Sequence, residues 1–153
     1  MRYSIDTSAI LDGWIRHYPP DVIPSLWGKV DDVIQSGELI ATEEVLIELK
    51  KKDDEVHKWF QQRNQMFIAI DEQVQLAVAD ILTKYERLVD TTKNRSSCDP
   101  FVIAIAQVLK CPVITGEKPS NSPNKPKIPD VCASLDIECL SLLQFIRRKG
   151  WVF

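Results

Sequence analysis

The sequence predicts an α/β domain: a central, mostly parallel sheet covered by helices on both faces. Short apolar strand candidates alternate with helical periodicity along the chain, and hairpin signals such as Asn-Gly are missing. A third observation concerns placement. Four acids, Asp6, Glu48, Asp99 and Glu117, stand near predicted boundaries where a strand gives way to a helix or loop. Carboxylates at the carboxyl ends of parallel strands converge on the crevice where open α/β sheets bind ligands, whatever their separation in sequence.

The elements follow in order. R-Y-S-I-D is a short apolar strand ending in Asp6, and in T-S-A-I-L-D-G-W-I the residues Ile10, Trp14 and Ile15 are expected to share a helical face. Pro19, Pro20 and Pro24 break the chain before a helix carrying Leu26, Trp27, Val30, Val33 and Ile34 at helical spacing, which Ser36-Gly37 stops. E-L-I-A-T is the next strand. Thr42 can cap the helix E-E-V-L-I-E-L-K-K-K, because its hydroxyl accepts a free first-turn N–H, and Glu48 lies inside that helix. Asp53 and Asp54 interrupt before a short helix, E-V-H-K-W-F-Q-Q-R. F-I-A-I is a third strand or an extended link into a long helix from about Glu72 to Val89, whose apolar stripe is Val74, Ala77, Val78, Ile81, Leu82, Tyr85 and Leu88.

The loop D-T-T-K-N-R-S-S then leads to C-D-P-F-V-I-A-I-A-Q-V-L-K, with Asp99 just before a proline suited to a first helical turn. P-V-I-T is a strand. The stretch K-P-S-N-S-P-N-K-P-K-I-P, Lys118 to Pro129, holds four of the nine prolines and is expected to be a mobile loop. The helix D-V-C-A-S-L, the strand I-E-C-L and a last helix, S-L-L-Q-F-I-R-R-K, complete the chain.

At 153 residues, residues 1–153 read as one domain, and 44% hydrophobic with 27% charged residues is the composition of a soluble globular protein. The longest apolar run, Phe101 to Ala106, is far short of the roughly 20 residues a spanning helix needs, and no export segment is indicated. The expected compartment is the cytoplasm. Cys98, Cys111, Cys132 and Cys139 never take C-x-x-C spacing and read as reduced core residues. A net charge of −3 is not the balance of a protein that holds nucleic acid by phosphate neutralisation alone, yet local basic patches exist. They are Lys50, Lys51 and Lys52; Lys118, Lys125 and Lys127; and Arg147, Arg148 and Lys149.

S-I-D-T-S, V-L-I-E-L, D-P-F-V-I-A-I-A and V-I-T-G-E resemble, in order and interval, the four signatures of PIN-domain ribonucleases. The resemblance covers the whole chain and implies a three-layer α/β/α fold with clustered central acids. Within the family the chain is most similar to single-domain toxins of the VapC type, or to a related PIN-like group. Asp6, Glu48 and Asp99 match the family's metal-binding acids, and Thr115 matches its threonine that positions water or phosphate. Glu117 stands where the family usually has aspartate or asparagine, one methylene shorter. The resemblance implies Mg²⁺ or Mn²⁺ as cofactor, RNA as substrate and a small antitoxin protein as inhibitor. Separately, apolar stripes on several helices in so short a chain suggest a surface covered by a second copy or the antitoxin, and a homodimer is expected in the absence of antitoxin.

The chemistry runs the same way. Phosphodiester hydrolysis needs an attacking hydroxide and neutralisation of charge on the phosphoryl oxygens, and Mg²⁺ supplies both through oxygen ligands. Carboxylates gathered without a cation would repel one another and hold protons. Lys118, Lys125 and Lys127, next in the chain after Glu117, are placed to hold the RNA backbone, with Lys50 to Lys52 as the alternative path. Taken singly, each residue also has an ordinary role: Asp6 and Asp99 as helix caps, Glu48 or Glu44 as a partner for a lysine one turn on, Asp130 as the cap of the next helix or a spare metal-shell acid. Two further readings compete. A haloacid-dehalogenase-like phosphatase wants D-x-D, but Thr7 and Ser8 follow Asp6, and a response-regulator receiver wants an early acidic pair and a late lysine. The non-enzymatic alternative is a PIN-fold binding module or scaffold with a weakened metal site, for which Glu117 is the best support.

Overall fold

The computed structural model describes residues 1–88, 98–122 and 124–153. Strands β1 (Tyr3–Ile5), β2 (Leu39–Thr42), β3 (Phe67–Ile68), β4 (Val113–Ile114) and β5 (Cys139–Leu140) form one sheet in the order β3-β2-β1-β4-β5, with every pairing parallel. The helices between them are α1 (Thr7–Leu11), α2 (Pro24–Gln35), α3 (Glu43–Lys52), α4 (Asp54–Gln61), α5 (Glu72–Lys84), α6 (Asp99–Leu109), α7 (Ile128–Ser134) and α8 (Leu142–Arg148). This is the expected α/β architecture. The chain runs outward from β1 to β3, then returns to lay β4 on the other side of β1. Strand order therefore reverses between β1 and β4, the place where open parallel sheets form their ligand crevice.

The two faces of β1 go to different layers. Ser4 donates its hydroxyl to the Val102 carbonyl of α6 at 3.1 Å, whereas Tyr3 meets Phe145 of α8 edge to face at 4.9 Å between centroids. On the α6 side, Val102 to Ala106 are all buried, and α5 packs outside α6. Each large side chain buried there contributes about 1.5–3 kcal/mol, which is why so apolar a run makes a central helix. On the opposite side Ile5 and Leu39 pack with Ile10, Trp27, Val30, Phe60, Leu142 and Phe145. No helix among the described residues is long and apolar enough to cross a membrane.

Local signals hold where they are local. Thr42 accepts from the Glu44 N–H at 3.3 Å and Gly37 ends the α2 turn at φ 81°; Asp53, expected only to interrupt the chain, also caps α4 through the Val56 N–H at 3.0 Å. Other expectations change. Ile15 was expected on the buried face with Ile10 and Trp14, but it is 53% exposed. After Leu11 the helix widens to a π turn over Asp12–His17, closed by Tyr18 N–H to Gly13 carbonyl at 2.8 Å, and the extra residue per turn rotates Ile15 outward. The long helix stops at Lys84 and a single turn, Glu86–Leu88, follows; Val89 and the loop expected over residues 90–97 lie outside the described residues.

The four cysteines are free, and Cys98, Cys111 and Cys132 are buried. Burial pushes the Cys98 thiol up, with the negative charges of Asp6, Glu48 and Asp99 adding, so it stays a neutral packing group. The Cys132 thiol, hydrogen-bonded to Cys139 and buried, is likewise pushed up.

Candidate metal centre

Three of the four predicted acids converge. One carboxylate oxygen from each of Asp6, Asp99 and Glu117 lies within 4.8 Å of the others. Asp6 leaves the end of β1 as the residue before α1, yet its side chain makes no capping bond; Asp99 opens α6, and Glu117 follows β4. The elements meeting at the strand-order reversal thus each deliver one acid. Glu48, half-buried on α3, stands outside this trio, but its charge reaches Asp6 and Cys98. Glu44, one turn earlier, lines a shallow depression with Glu43, Ile47, Asn64 and Phe67.

Asp6 is 3% exposed, and burial holds its carboxyl above the usual carboxylate range. Hydrogen bonds from Ser8 and Thr115 oppose that rise, and the negative Glu48 reinforces it. The Thr115 hydroxyl donates to Asp6 Oδ2 at 3.0 Å and accepts the Glu117 N–H at 3.1 Å. One threonine therefore fixes two of the three acids. Ser8 closes the arrangement by donating to Asp6 Oδ2 and accepting the Gly116 N–H at 2.9 Å. The donor set is all carboxylate oxygen, one Glu117 oxygen is shut from solvent, and like charges meet at close range. Such a set fits a hard divalent cation such as Mg²⁺ or Mn²⁺, which takes oxygen ligands and cancels that repulsion.

Ser8, Asp12 and Gly116 were not singled out in the sequence. Gly116 packs so closely that a Cβ would run into the Asp12 carboxylate and come within 3.1 Å of the Ser8 carbonyl. Ser8 could have been noticed from its position two residues after Asp6; the Asp12–Gly116 contact joins residues 104 apart and left no local mark. Asp130 lies elsewhere. At the third position of α7 it accepts from the N–H groups of Lys127 (2.8 Å), Ser120 (2.9 Å) and Asn121 (3.2 Å) and from the Ser120 hydroxyl (3.0 Å). It therefore staples the proline-rich segment to α7. Lys118 lines a groove beside Glu117; Lys125 is exposed, and Lys127 is half-buried at the start of α7.

Sheet order and layers are those of a PIN-like fold. The chain belongs to the family described as domain of unknown function DUF4411, whose model matches residues 3–153. Among solved structures it is similar to the crystal structure of FitAcB from Neisseria gonorrhoeae, at a TM-score of 0.54 and 14% identity over 90% of this chain and 96% of that one, a likeness of fold. No curated protein matches the chain.

Proposed function

We propose that the chain is a metal-dependent endoribonuclease that hydrolyses RNA phosphodiester bonds in the cytoplasm, and is the toxin of a toxin–antitoxin pair. The observation that carries this is the convergence of Asp6, Asp99 and Glu117 within 4.8 Å at the crevice of a PIN-like parallel sheet. Asp6, Asp99 and Glu117 would hold the cation, with Glu48 adding negative charge from α3. When bound, Mg²⁺ or Mn²⁺ supplies an activated water and neutralises charge on the phosphoryl oxygens. Thr115 and Ser8 orient Asp6, and Thr115 also fixes the backbone that presents Glu117. The longer side chain at 117 supports an intact site rather than a scaffold, because its carboxylate reaches the other two.

Purified protein is expected to cleave single-stranded RNA only with Mg²⁺ or Mn²⁺, and Asp6→Asn or Asp99→Asn should slow it at least about 100-fold. Cleavage that survives a chelator would sink the mechanism. Calorimetry with Mn²⁺ separates the scaffold reading, which predicts no binding. Leu76 of α5 and Ile47 of α3, 65% and 50% exposed, support a partner that covers apolar surface, either an antitoxin or a second copy.

A further inference from the structure

A groove of about 920 Å³ opens beside the acid cluster, between the π turn after α1 and helix α8. Thr115, Gly116 and Glu117 are part of its lining, so it reaches one acid of the candidate metal centre and the threonine that orients Asp6. Basic side chains gather along it: Arg16 from the π turn, Arg147 from α8, and Lys118 next to Glu117. Arg16 pairs with Asp12 at 3.3 Å, which quenches that acid. Arg148 is taken up by a two-pronged bond to Glu138 at 2.6 and 2.7 Å, and Lys149 by Glu38 at 2.8 Å. Arg147 and Lys118, by contrast, enter no ion pair among the described residues. A chain of net charge −3 thus keeps positive charge without an ion-pair partner, among the described residues, at a groove that reaches Glu117.

The rim also carries rings. His17 is exposed and Tyr18 half-buried, their centroids 6.0 Å apart. The Tyr18 carbonyl is held by the Trp27 indole N–H at 2.7 Å, which fixes the backbone beneath both rings. Cations spaced along a groove with an aromatic edge are the makings of a single-strand track, in which phosphates meet positive charge and a splayed base lies on a ring.

We propose that single-stranded RNA enters the site along this groove, with its phosphates on Arg16, Lys118 and Arg147 and a base against His17 and Tyr18. This deepens the ribonuclease reading of the same site and rests on it. The path departs from one along Lys125 and Lys127, which do not line the groove.

The test is binding of a short labelled single-stranded oligoribonucleotide to the full chain, followed by fluorescence anisotropy in chelator at several salt concentrations. Arg16→Gln, Lys118→Gln and Arg147→Gln combined should weaken binding at least tenfold, by order of magnitude, and lower the salt slope by about 2, since each lost phosphate contact removes roughly 0.7 of slope on a single strand. His17→Ala should weaken binding with the slope unchanged, a signature that altered charge alone cannot give. Lys125→Gln with Lys127→Gln should bind like wild type. Wild-type binding by the triple variant with native circular dichroism would overturn the proposal, as would an equal loss in the Lys125 and Lys127 pair. So would a groove that binds an acidic peptide and no RNA. Because binding is read without metal, the groove can stand if cleavage is never seen, and it can fail while chelator-sensitive cleavage survives.

Discussion

Replacing Asp130 by alanine tests whether this acid belongs to the metal or to the loop. The substitution removes the acceptor for four hydrogen bonds, from Lys127, Asn121 and, twice, Ser120. A hydrogen bond to a charged group is worth about 1.5–3 kcal/mol, but these donors lie near the surface, where water can replace the lost partner. A net loss of about 2–4 kcal/mol is expected, which for a chain of this size lowers the melting temperature by roughly 5–15 °C. Burial would raise the Asp130 pKa, but the backbone N–H groups of Ser120, Lys127 and Asn121, with the Ser120 hydroxyl, outweigh it and hold the carboxyl below its ordinary value. Its folded pKa therefore lies below the unfolded one. The stabilisation is complete above the ordinary carboxylate range and fades as pH falls through the folded value, so Asp130→Ala should flatten the acid side of the stability profile. Asp130→Asn, which keeps one acceptor oxygen, should lose about half as much. Urea denaturation across a pH series, with Mn²⁺ calorimetry beside it, reads both effects. Wild-type stability together with lost Mn²⁺ affinity would refute the reasoning and move Asp130 into the metal shell.

Three other outcomes follow from the same geometry. Ser8→Ala should weaken Mn²⁺ binding by roughly 10- to 100-fold, because it removes a hydrogen bond that orients Asp6, and wild-type affinity by calorimetry would show that Thr115 alone suffices. Asp6→Asn should raise the melting temperature measured in chelator, although it slows metal-dependent cleavage at least about 100-fold, since it removes a charge that burial disfavours; a lower melting temperature would mean that the Asp6 hydrogen bonds outweigh that cost. Light scattering at micromolar concentration should give a homodimer without antitoxin, and a monomer would remove that expectation without touching the chemistry.

Sequence alone determined what depends on neighbours within a few residues. Alternating apolar runs gave the α/β class, Thr42 announced its cap, and Asp99 before Pro100 marked a helix start, because capping and amphipathicity are set by spacings of two to seven residues. The acids Asp6, Asp99 and Glu117 were legible for a different reason: each ends or opens an element, and together they resemble a family pattern. Tertiary structure decided the rest. Only the β3-β2-β1-β4-β5 order places Asp6 next to Thr115, 109 residues apart, and leaves Glu48 outside the converging trio. The π turn that turns Ile15 outward, the Asp130 staple and the Asp12–Gly116 contact were equally hidden. Each is a hydrogen bond or close approach whose partner is chosen by how the layers pack, and chain-local spacing carries no record of that choice.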